Sequence, residues 1–396
     1  MKNSILIISA VFPPEPVVSS KLSFDLAIEL SKSFNVVVIS PYPSRPFGFQ
    51  FEEKSKNYNF KHVYMDSFRC PQSNMFGRFK ESVSFGLKCA EYIRIHNKEI
   101  DKIYSNSWPL FAQFFAIKAS KKFGIPFTFH VQDIYPESLS NKIMLFRKPI
   151  NRFLSPIDRF NLKNSKNIVV ISEIMKSYLI KTRKLDPSKF SVVFNWQDEQ
   201  EFLNLLPSNN SKELINNSFT FMYLGNVGPV AGIDLLIKAF VLADLKHSKL
   251  VIAGSGSKKD DLMKMATGYP NSNIKFCEVP DGMVPQIQNK ADVMLLPVIK
   301  GGAFSSIPSK LPAYMFSKKP IIASVDENSD ISNAIKNSNC GWVSKPEDIE
   351  SLALLMKKVF LLEKKKLNIK GANGFKFAMQ NFSKKINLPK LVKIIS

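Results

Sequence analysis

The residues with the clearest capacity for chemistry lie between Gly301 and Asp326. Two glycines and a cluster of small hydroxyl residues separate an apolar run that ends at Pro297 from a helix-like segment that begins near Ser309. A glycine-rich loop that leads from a strand into a helix presents unpaired backbone N–H groups to an anion. Lys310 would lie in the first helical turn, where a cation opposes the helix dipole unless an anion lies between them. We interpret that anion as the diphosphate of a nucleotide-sugar.

Small residues also follow two earlier apolar runs in the same half of the chain. Glycine permits a close approach of the backbone to a ligand, or a positive φ. Each glycine pair alone is explained as well by a tight turn, but three such loops after successive strand-like runs form a more specific pattern. We expect these residues to bind the donor: Gly225, Asn226, Gly228, Gly254, Gly256, Ser305, Ser306 and Lys310.

These loops require a sheet that holds them, and the chain has the pattern of parallel-sheet α/β domains. Short apolar runs alternate with longer amphipathic ones, which is typical of βαβ units. The alternation dissolves near Asp198–Ser218 and then restarts. We predict two Rossmann-like, doubly wound domains that face a central cleft, residues 1–200 and 201–375, with a helix of about 376–396 packing back on the first. Ligands of such folds bind at the carboxyl ends of the strands.

The composition narrows the possible partners of this 396-residue chain, whose formal net charge is +22. A lysine- and asparagine-rich composition bias explains this charge as well as attraction to an anionic surface does. No zinc-finger spacing, RNP-type motif or basic zipper helix accompanies the charge, so we expect no nucleic-acid partner. The four cysteines have neither metal-ligand nor disulfide spacing. No apolar run reaches the roughly 18 residues of a membrane span and no signal peptide is evident, so we expect a cytoplasmic protein.

The order of the motifs resembles that of a known enzyme family. The second half contains Ala291–Pro297, Pro308–Leu311 and Lys319–Ala323, spaced as in the donor domain of GT-B-fold glycosyltransferases of the large family four, or group 1. In the first half, Val11–Glu15 follows the first strand and His130–Glu137 follows a middle one, which agrees. The resemblance covers nearly the whole chain. It is strongest to bacterial enzymes of O-antigen or capsule assembly, notably the N-acetyl-L-fucosaminyl transferases.

The resemblance implies a retaining transfer without a metal ion or other cofactor, from a UDP-sugar to a lipid-linked acceptor. The chain departs from the family at two places. The family's pair of glutamates, of which the second commonly binds the donor ribose, corresponds to Ser305 and Ala313 here. Its arginine and lysine beside the diphosphate are missing, because Asn226–Ala231 is uncharged. By elimination Lys310 is the best cation for the leaving group; a solvated lysine of a first helical turn is the alternative.

Four acidic or imidazole side chains are further candidates, and we predict His130, Asp133 and Lys310 as catalytic. In the enzymes that the chain resembles, the histidine at this point hydrogen-bonds the donor sugar near the reacting carbon. Asp133 could orient His130, raise its pKa, support positive charge at the sugar or orient the acceptor, or merely start a helix. Glu15, in a loop stiffened by prolines, suits acceptor hydroxyls or is a solvated loop residue. By its position in the resemblance, Glu278 lies near the nucleobase.

Two segments of the first half, Ser67–Lys80 and Lys142–Leu154, mix aromatic and basic residues. Phe and Met side chains can enter the head-group region of a bilayer while Arg and Lys pair with its phosphates, which predicts peripheral contact with the anionic inner membrane. The same composition fits a helix packed on the sheet with its basic face in water. Arg69, Arg78 and Lys80 are alternatively predicted to bind the diphosphate of the acceptor.

Together these patterns predict a hexosyltransferase of O-antigen, capsule or exopolysaccharide synthesis. It would move a sugar, N-acetyl-fucosamine or a related N-acetylated hexose, from UDP onto a polyprenyl-diphosphate-linked saccharide. Two alternatives stay open at this point. One is a UDP-sugar 2-epimerase, which shares the fold, and the other is a non-catalytic basic protein that binds a membrane surface.

Overall fold

The structure is a computed structural model that describes residues 3–45, 50–51, 58–72, 74–106, 109–140, 147–204, 218–280, 282–302 and 309–396. The chain divides into two compact units. The first runs up to Asn195 and resumes at Asn387, and the second is Trp196–Ile386. The division thus lies close to the predicted boundary at residue 200.

The first unit is a parallel sheet with helices on its faces. Its strands are β1 (Ser4–Ile8), β2 (Asn35–Pro41), β3 (Lys61–Met65), β4 (Lys102–Asn106), β5 (Phe127–Val131), β6 (Asn167–Val170) and β7 (Phe190–Val192). Its helices up to residue 195 are α1 (Val18–Ser31), α2 (Met75–Ile95), α3 (Leu110–Phe123), α4 (Glu137–Ser140), α5 (Arg147–Asn164) and α6 (Glu173–Arg183). Within the described residues the strand order is β3-β2-β1-β4-β5-β6-β7.

The apolar runs of this unit explain its sheet. Strand β5 is buried along its whole length and β1 along nearly all of it, as expected for strands covered by helices on both faces. Helices α2 and α3 pack so closely that a Cβ on Gly86 would lie 2.7 Å from the Cα of Ala112. The strand order reverses between β1 and β4, and the loops at the carboxyl ends of these strands diverge at such a switch point.

The second unit repeats this architecture. Its strands are β8 (Phe219–Leu224), β9 (Ser248–Ala253), β10 (Ile274–Cys277), β11 (Val293–Pro297), β12 (Ile321–Ser324) and β13 (Gly341–Ser344). Its helices are α7 (Gln200–Leu203), α8 (Ile233–Ala243), α9 (Lys259–Thr267), α10 (Val284–Asn289), α11 (Lys310–Phe316), α12 (Asp330–Ser338), α13 (Ile349–Phe360) and α14 (Lys364–Asn381). The last helix, α15 (Lys384–Ile395), belongs to the first unit from Asn387 onward. In the part of the unit that the structure describes, the strand order is β10-β9-β8-β11-β12-β13, with its switch point between β8 and β11.

The predicted α/β class with two doubly wound parallel sheets is confirmed. Strand β13 was not predicted, because it is a short edge strand that begins with a glycine and is only partly buried. Gly341 is required there, since a Cβ would overlap the backbone of Ile321 on β12. Of the helices that the structure describes, none is long and apolar enough to cross a membrane.

Candidate active site

Loops of the second unit stack on one another at the carboxyl ends of β8, β9 and β10. The backbone N–H of Gly225 donates to the carbonyl oxygen of Ala253 at 2.9 Å. The N–H of Gly254 donates in turn to the carbonyl oxygen of Cys277 at 2.9 Å. The three loops are therefore joined by their backbones, and the predicted donor-binding residues after β8 and β9 lie side by side.

The glycines of these loops are required by this stacking. Gly254 has a φ of 128°, and a Cβ there would overlap the carbonyl oxygen of Gly225. Gly256 has a φ of 155°, and a Cβ there would overlap the carbonyl oxygen of Val227. L side chains rarely adopt such φ values. The close approach that the sequence suggested is thus an approach of one loop to the next.

Lys310 reaches from the start of α11 to the loop after β8. Its Nζ donates to the hydroxyl of Tyr223 at 2.6 Å and lies 4.7 Å from the centroid of that ring. The same hydroxyl donates to the carbonyl oxygen of Asn226 at 2.6 Å, and Asn226 lies against Gly228. The Lys310 side chain also fills the space that a Cβ on Gly225 would need. One amine therefore joins the two loops that flank the switch point of this sheet.

The ammonium group of Lys310 is in an unfavourable environment. Burial lowers the pKa of Lys310 to about 8. Burial also raises the pKa of Tyr223, so its hydroxyl accepts the hydrogen bond as a neutral group. No carboxylate among the described residues forms an ion pair with Lys310. A buried cation without a counter-ion is destabilised, and an anion bound beside it would restore its pKa. The alternative of a solvated first-turn lysine is wrong.

The other predicted diphosphate ligands, Ser305 and Ser306, lie outside the described residues. The loop that leads to them is anchored, because the N–H of Gly301 donates to Oδ2 of Asp326 at 2.8 Å. The anchor ties the loop after β11 to the loop after β12.

Sequence reasoning assigned no role to the two tyrosines that hold this site, Tyr223 and Tyr314. The hydroxyl of Tyr314 donates to the carbonyl oxygen of Leu224 at 2.9 Å and accepts from the Leu224 N–H at 3.0 Å, which fixes α11 against β8. Tyr223 orients Lys310 in the way described above. Their one signal is a tyrosine inside an apolar run, and most such residues are ordinary core. Ala313, at the position of the family's second glutamate, is buried and has no polar group for a ribose.

Glu278 lies away from the Lys310 cluster. It follows β10, which is separated from β8 by β9. Its side chain is 68% exposed and pairs with Lys259, the first residue of α9. The pair occupies the outer edge of the sheet, and the role of Glu278 near a nucleobase stays a prediction.

His130 lies near the end of β5 in the first unit and is 1% exposed. Its Nδ1 is 2.8 Å from the hydroxyl of Tyr104. Its Nε2 is buried and has no hydrogen-bond partner among the described residues. Burial lowers the pKa of His130 to about 3, so the imidazole is neutral at physiological pH. When Tyr104 donates to Nδ1, Nε2 carries the ring proton and is a donor that awaits an acceptor.

Asp133 is half-buried in the bend between β5 and α4. The suggestion that it raises the pKa of His130 is wrong, because burial dominates and lowers that pKa. Asp133 does not start a helix either, since α4 begins only at Glu137. Among the described His, Cys, Asp and Glu side chains, no group of three or more is placed to hold a metal ion.

Glu15 is buried and its carboxylate binds the backbone of the loop after β2. It is 6% exposed, and its Oε1 accepts from the N–H groups of Ser44 at 2.8 Å and Arg45 at 2.9 Å. Burial raises the pKa of Glu15, although these hydrogen bonds and the charge of Arg45 counter the shift. The suggestion of a solvated loop glutamate is therefore wrong. Glu15 holds the loop after β2, and its predicted contact with an acceptor stays a prediction.

A second buried glutamate, in the second turn of α2, binds two arginine side chains. Glu81 is 3% exposed, and its two carboxylate oxygens accept from Nη2 of Arg45 at 2.6 Å and from Nη1 of Arg78 at 2.7 Å. Sequence reasoning selected Arg78 but missed Arg45 and Glu81, which only the fold brings together. The carboxylate fixes the direction of both guanidinium groups.

The other two predicted acceptor ligands lie on aromatic side chains. The guanidinium of Arg69 is 5.4 Å from the centroid of Tyr42, and Nζ of Lys80 is 4.3 Å from the centroid of Phe68. Both cations are on the surface. The loops after β2 and β3 and the first turns of α2 thus form one basic and aromatic surface, which contains Arg45, Arg69, Arg78 and Lys80 together with Tyr42 and Phe68.

Comparison with known families decides the class of protein. Residues 207–376 match the model for glycosyl transferases group 1, and residues 20–201 match the model for glycosyltransferase family 4. The chain is a group 1 glycosyltransferase with the GT-B fold. The glycosyltransferase therefore carries the Lys310 cluster in the half matched by the first model, and His130 in the half matched by the second. Its predicted family is confirmed, as is its assignment as a transferase enzyme.

Two named relatives are also glycosyltransferases, and a solved structure has the same fold. The glycosyltransferase is 26% identical over 288 residues to the glycosyltransferase WbjE of Pseudomonas aeruginosa. This match covers 69% of the present chain and 68% of WbjE. The glycosyltransferase is 22% identical over 247 residues to WcaI of Escherichia coli, described as a colanic acid biosynthesis glycosyl transferase, which covers 59% of this chain and 60% of the relative. The Anabaena protein HepE, solved in complex with UDP, superposes with a TM-score of 0.67 at 15% identity, over 99% of each chain.

Proposed function

We propose that this glycosyltransferase moves an N-acetylated deoxyhexose, such as N-acetyl-fucosamine, from UDP to a saccharide carried on a polyprenyl diphosphate, in the synthesis of a bacterial surface polysaccharide. The transfer proceeds with retention and needs no metal ion. The description of WcaI supports the polysaccharide context, and the UDP complex of HepE supports the choice of nucleotide.

Lys310 is the observation that carries the proposal. It is a half-buried lysine at the switch point of the second sheet, with a neutral hydroxyl as its hydrogen-bond partner and a pKa that burial lowers to about 8. Such a group gains most from an anion at the same place. The diphosphate of a UDP-sugar supplies that anion, and its negative charge increases as the sugar leaves. Lys310 therefore stabilises the departing UDP more strongly than the bound donor, which accelerates transfer.

His130 acts on the sugar. Its neutral imidazole presents the buried Nε2 to a hydroxyl of the donor, and Tyr104 holds the ring through Nδ1. Asp133 supports the positive charge that develops at the anomeric carbon. That carbon loses its bond to the diphosphate oxygen and gains one to the acceptor oxygen on the same face. The acceptor proton passes to the departing phosphate oxygen, so a pair of glycosidase-type carboxylates is not required.

The basic surface of the first unit binds the acceptor. Arg45 and Arg78 are oriented by the same buried Glu81, and Arg69 and Lys80 add two exposed positive charges nearby. Oriented guanidinium groups match the geometry of phosphate oxygens. The polyprenyl diphosphate places its negative charges at this surface, and its saccharide extends towards the carboxyl ends of the strands.

The same surface meets the membrane. The first turns of α2 expose Met75 by 57%, Phe76 by 78% and Phe79 by 50%, beside Lys80. Apolar side chains flanked by cations suit the interface of an anionic bilayer. Of the second predicted segment, Lys142–Phe146 lies outside the described residues, whereas Phe153 on α5 is 74% exposed.

A donor screen tests the proposal. The purified protein is incubated with UDP-sugars and a synthetic lipid-diphosphate acceptor, and products are read by mass spectrometry. We expect UDP release only when the acceptor is present. Conversion of a UDP-sugar to its 2-epimer without acceptor would instead indicate the epimerase, and failure to bind any nucleoside diphosphate in calorimetry would refute both activities.

A further inference from the structure

A buried ion network lies beside the loop that follows β5. Arg183, the last residue of α6, is 5% exposed. Its Nε donates to Oδ2 of Asp158 on α5 at 2.7 Å. Its Nη2 donates to Oε2 of Glu137 at 2.7 Å and to the carbonyl oxygen of Tyr135 at 2.8 Å. One guanidinium thereby joins two helices to the segment that connects β5 to α4.

The network depends on Arg183. Burial raises the pKa of Asp158 to about 7, with Arg183 opposing and Glu137 adding to the shift. Burial also acts to raise the pKa of Glu137, but the hydrogen bond and charge of Arg183 and the hydrogen bond of Tyr178 outweigh it, so that this pKa is lowered. The Tyr178 hydroxyl donates to the other carboxylate oxygen of Glu137, Oε1, at 2.8 Å. Removing the guanidinium would leave the buried carboxylate of Asp158 and the half-buried carboxylate of Glu137 without their counter-ion.

The segment held in this way contains Asp133 and begins two residues after His130. Strand β5 is held by its ladder to β4 up to His130 and by its ladder to β6 up to Val131, where the pairing ends. From there to Glu137 the chain has no regular secondary structure. The Tyr135 carbonyl and the Glu137 carboxylate are fixed points at the far end of this segment, and Arg183 binds both through one nitrogen.

We propose that Arg183 is a positioning residue for sugar transfer, which holds the segment from residue 132 to 137 so that Asp133 stays in place beside the reacting sugar. The inference rests on the proposed function, in which Asp133 and His130 face the donor sugar. Arg183 acts on the rate of the chemical step and leaves UDP binding, which belongs to the second unit, unchanged.

Substitution of Arg183 by lysine is the central test. Arg183→Lys keeps the positive charge, but a single ammonium cannot reproduce the planar fork that spans two carboxylates and a carbonyl. We expect kcat per folded molecule to fall about 10²-fold, the scale of a misplaced catalytic group. The dissociation constant for UDP should stay within about twofold, because the proposed UDP site is built from residues of the second unit and shares no partner with Arg183. Lys181→Gln, at an exposed position on the same helix, is the matched control and should keep full activity.

Coupling to Asp133 separates positioning from a purely structural role. If Arg183 acts through Asp133, adding Arg183→Lys to Asp133→Asn should cause little further loss of kcat. Hydrogen exchange of the 132–137 peptide should become faster in Arg183→Lys and stay unchanged in peptides of β1 and β6. A lower melting temperature with wild-type kcat in the folded fraction, or losses that multiply in the double variant, would overturn the inference.

Two further arms keep the test decisive. If Arg183→Lys does not fold, Glu137→Gln removes one leg of the network while Arg183 and Asp158 stay paired, and kcat should fall by a smaller factor in the same direction. If the wild-type protein transfers no sugar, the proposed function fails and the inference fails with it. If the wild type is active and both variants match it in kcat, only the positioning role is refuted.

Discussion

UDP binding should weaken as the pH rises above 8, because the amine of Lys310 then loses its proton. Burial lowers its pKa to about 8 from an ordinary value of 10.5, and a bound diphosphate would raise it again. The protonated fraction of the free protein falls from about nine-tenths at pH 7 to about one-tenth at pH 9. The apparent Kd for UDP should therefore rise about tenfold, which is about 1.4 kcal/mol.

Titration calorimetry measures this effect directly. In buffers of different ionisation enthalpy, the wild type should take up about half a proton per UDP at pH 8. Lys310→Arg stays charged, so its affinity reports only the titration of UDP itself. Lys310→Met should bind UDP about 10- to 100-fold more weakly at pH 7, the value of a charged hydrogen bond. Lys264→Met, at an exposed lysine of α9, should bind like the wild type.

The stability of the unliganded protein should change in the opposite direction. A lysine with a lowered pKa in the folded state destabilises that state while it is protonated, so stability should increase as the pH rises from about 8 towards 10.5. Lys310→Met should accordingly melt at a higher temperature than the wild type at pH 7. A UDP affinity that is constant between pH 7 and 9, or Lys310→Met that binds UDP like the wild type, would show that this amine does not face the diphosphate.

Three other substitutions test separate parts of the molecule. His130→Ala should lower kcat about 10²-fold without a change in UDP affinity, and no limb near pH 6.5 should appear in wild-type kcat/KM, because burial lowers the pKa of His130 to about 3. Gly254→Ala should destabilise the fold by about 1–3 kcal/mol in thermal denaturation, and by more than Gly124→Ala, which shares a positive φ but has open space around it. Phe76→Ser should weaken binding to phosphatidylglycerol vesicles about tenfold, whereas Leu87→Ser, also exposed on α2, should not.

Each of these has a clear contrary result. Full activity in His130→Ala would remove the imidazole from the site. Equal melting temperatures for the two glycine variants would show that the loops of the second unit can move to accept a Cβ at Gly254 without a loss of folding free energy. Equal vesicle binding by the Phe76 and Leu87 variants would show that the start of α2 is not the membrane contact.

The sheets were predictable because parallel strands buried on both faces are continuous apolar runs. By this pattern the sequence predicts strands at Phe219–Leu224, Ile274–Cys277, Val293–Pro297 and Ile321–Ser324, and β8, β10, β11 and β12 have these same bounds. The apolar run Val192–Phe194 also predicts a strand, but β7 lies at Phe190–Val192. The reason is that its pairing with β6, which no local pattern encodes, begins at Phe190. Strand β13 was not predicted, because its formation depends on the packing of Gly341 against Ile321 of β12. No local sequence pattern encodes that contact.

The site was predictable only where one residue type at one position carries the information. Lys310 was selected from its place after a glycine-rich loop, but its partner Tyr223 is far away in sequence, and only the sheet order brings the two together. Proximity in sequence misled at His130, where Asp133 suggested a raised pKa and burial lowers it. At Glu15 the sequence left a solvated loop residue open, and that alternative is wrong because two backbone N–H groups from the loop after β2 donate to its carboxylate.

The backbone hydrogen bonds between the loops after β8, β9 and β10 have a consequence for engineering. Gly225 donates its N–H to Ala253, and Gly254 donates its N–H to Cys277 while packing against the carbonyl oxygen of Gly225. The position of each loop therefore depends on the next. A graft of a single loop from a homologue with a different sugar preference would lose its fit to the two that stay behind. Under the proposed function, changes of donor preference should therefore be made by exchanging all three segments as a block, with Lys310 and Tyr223 retained.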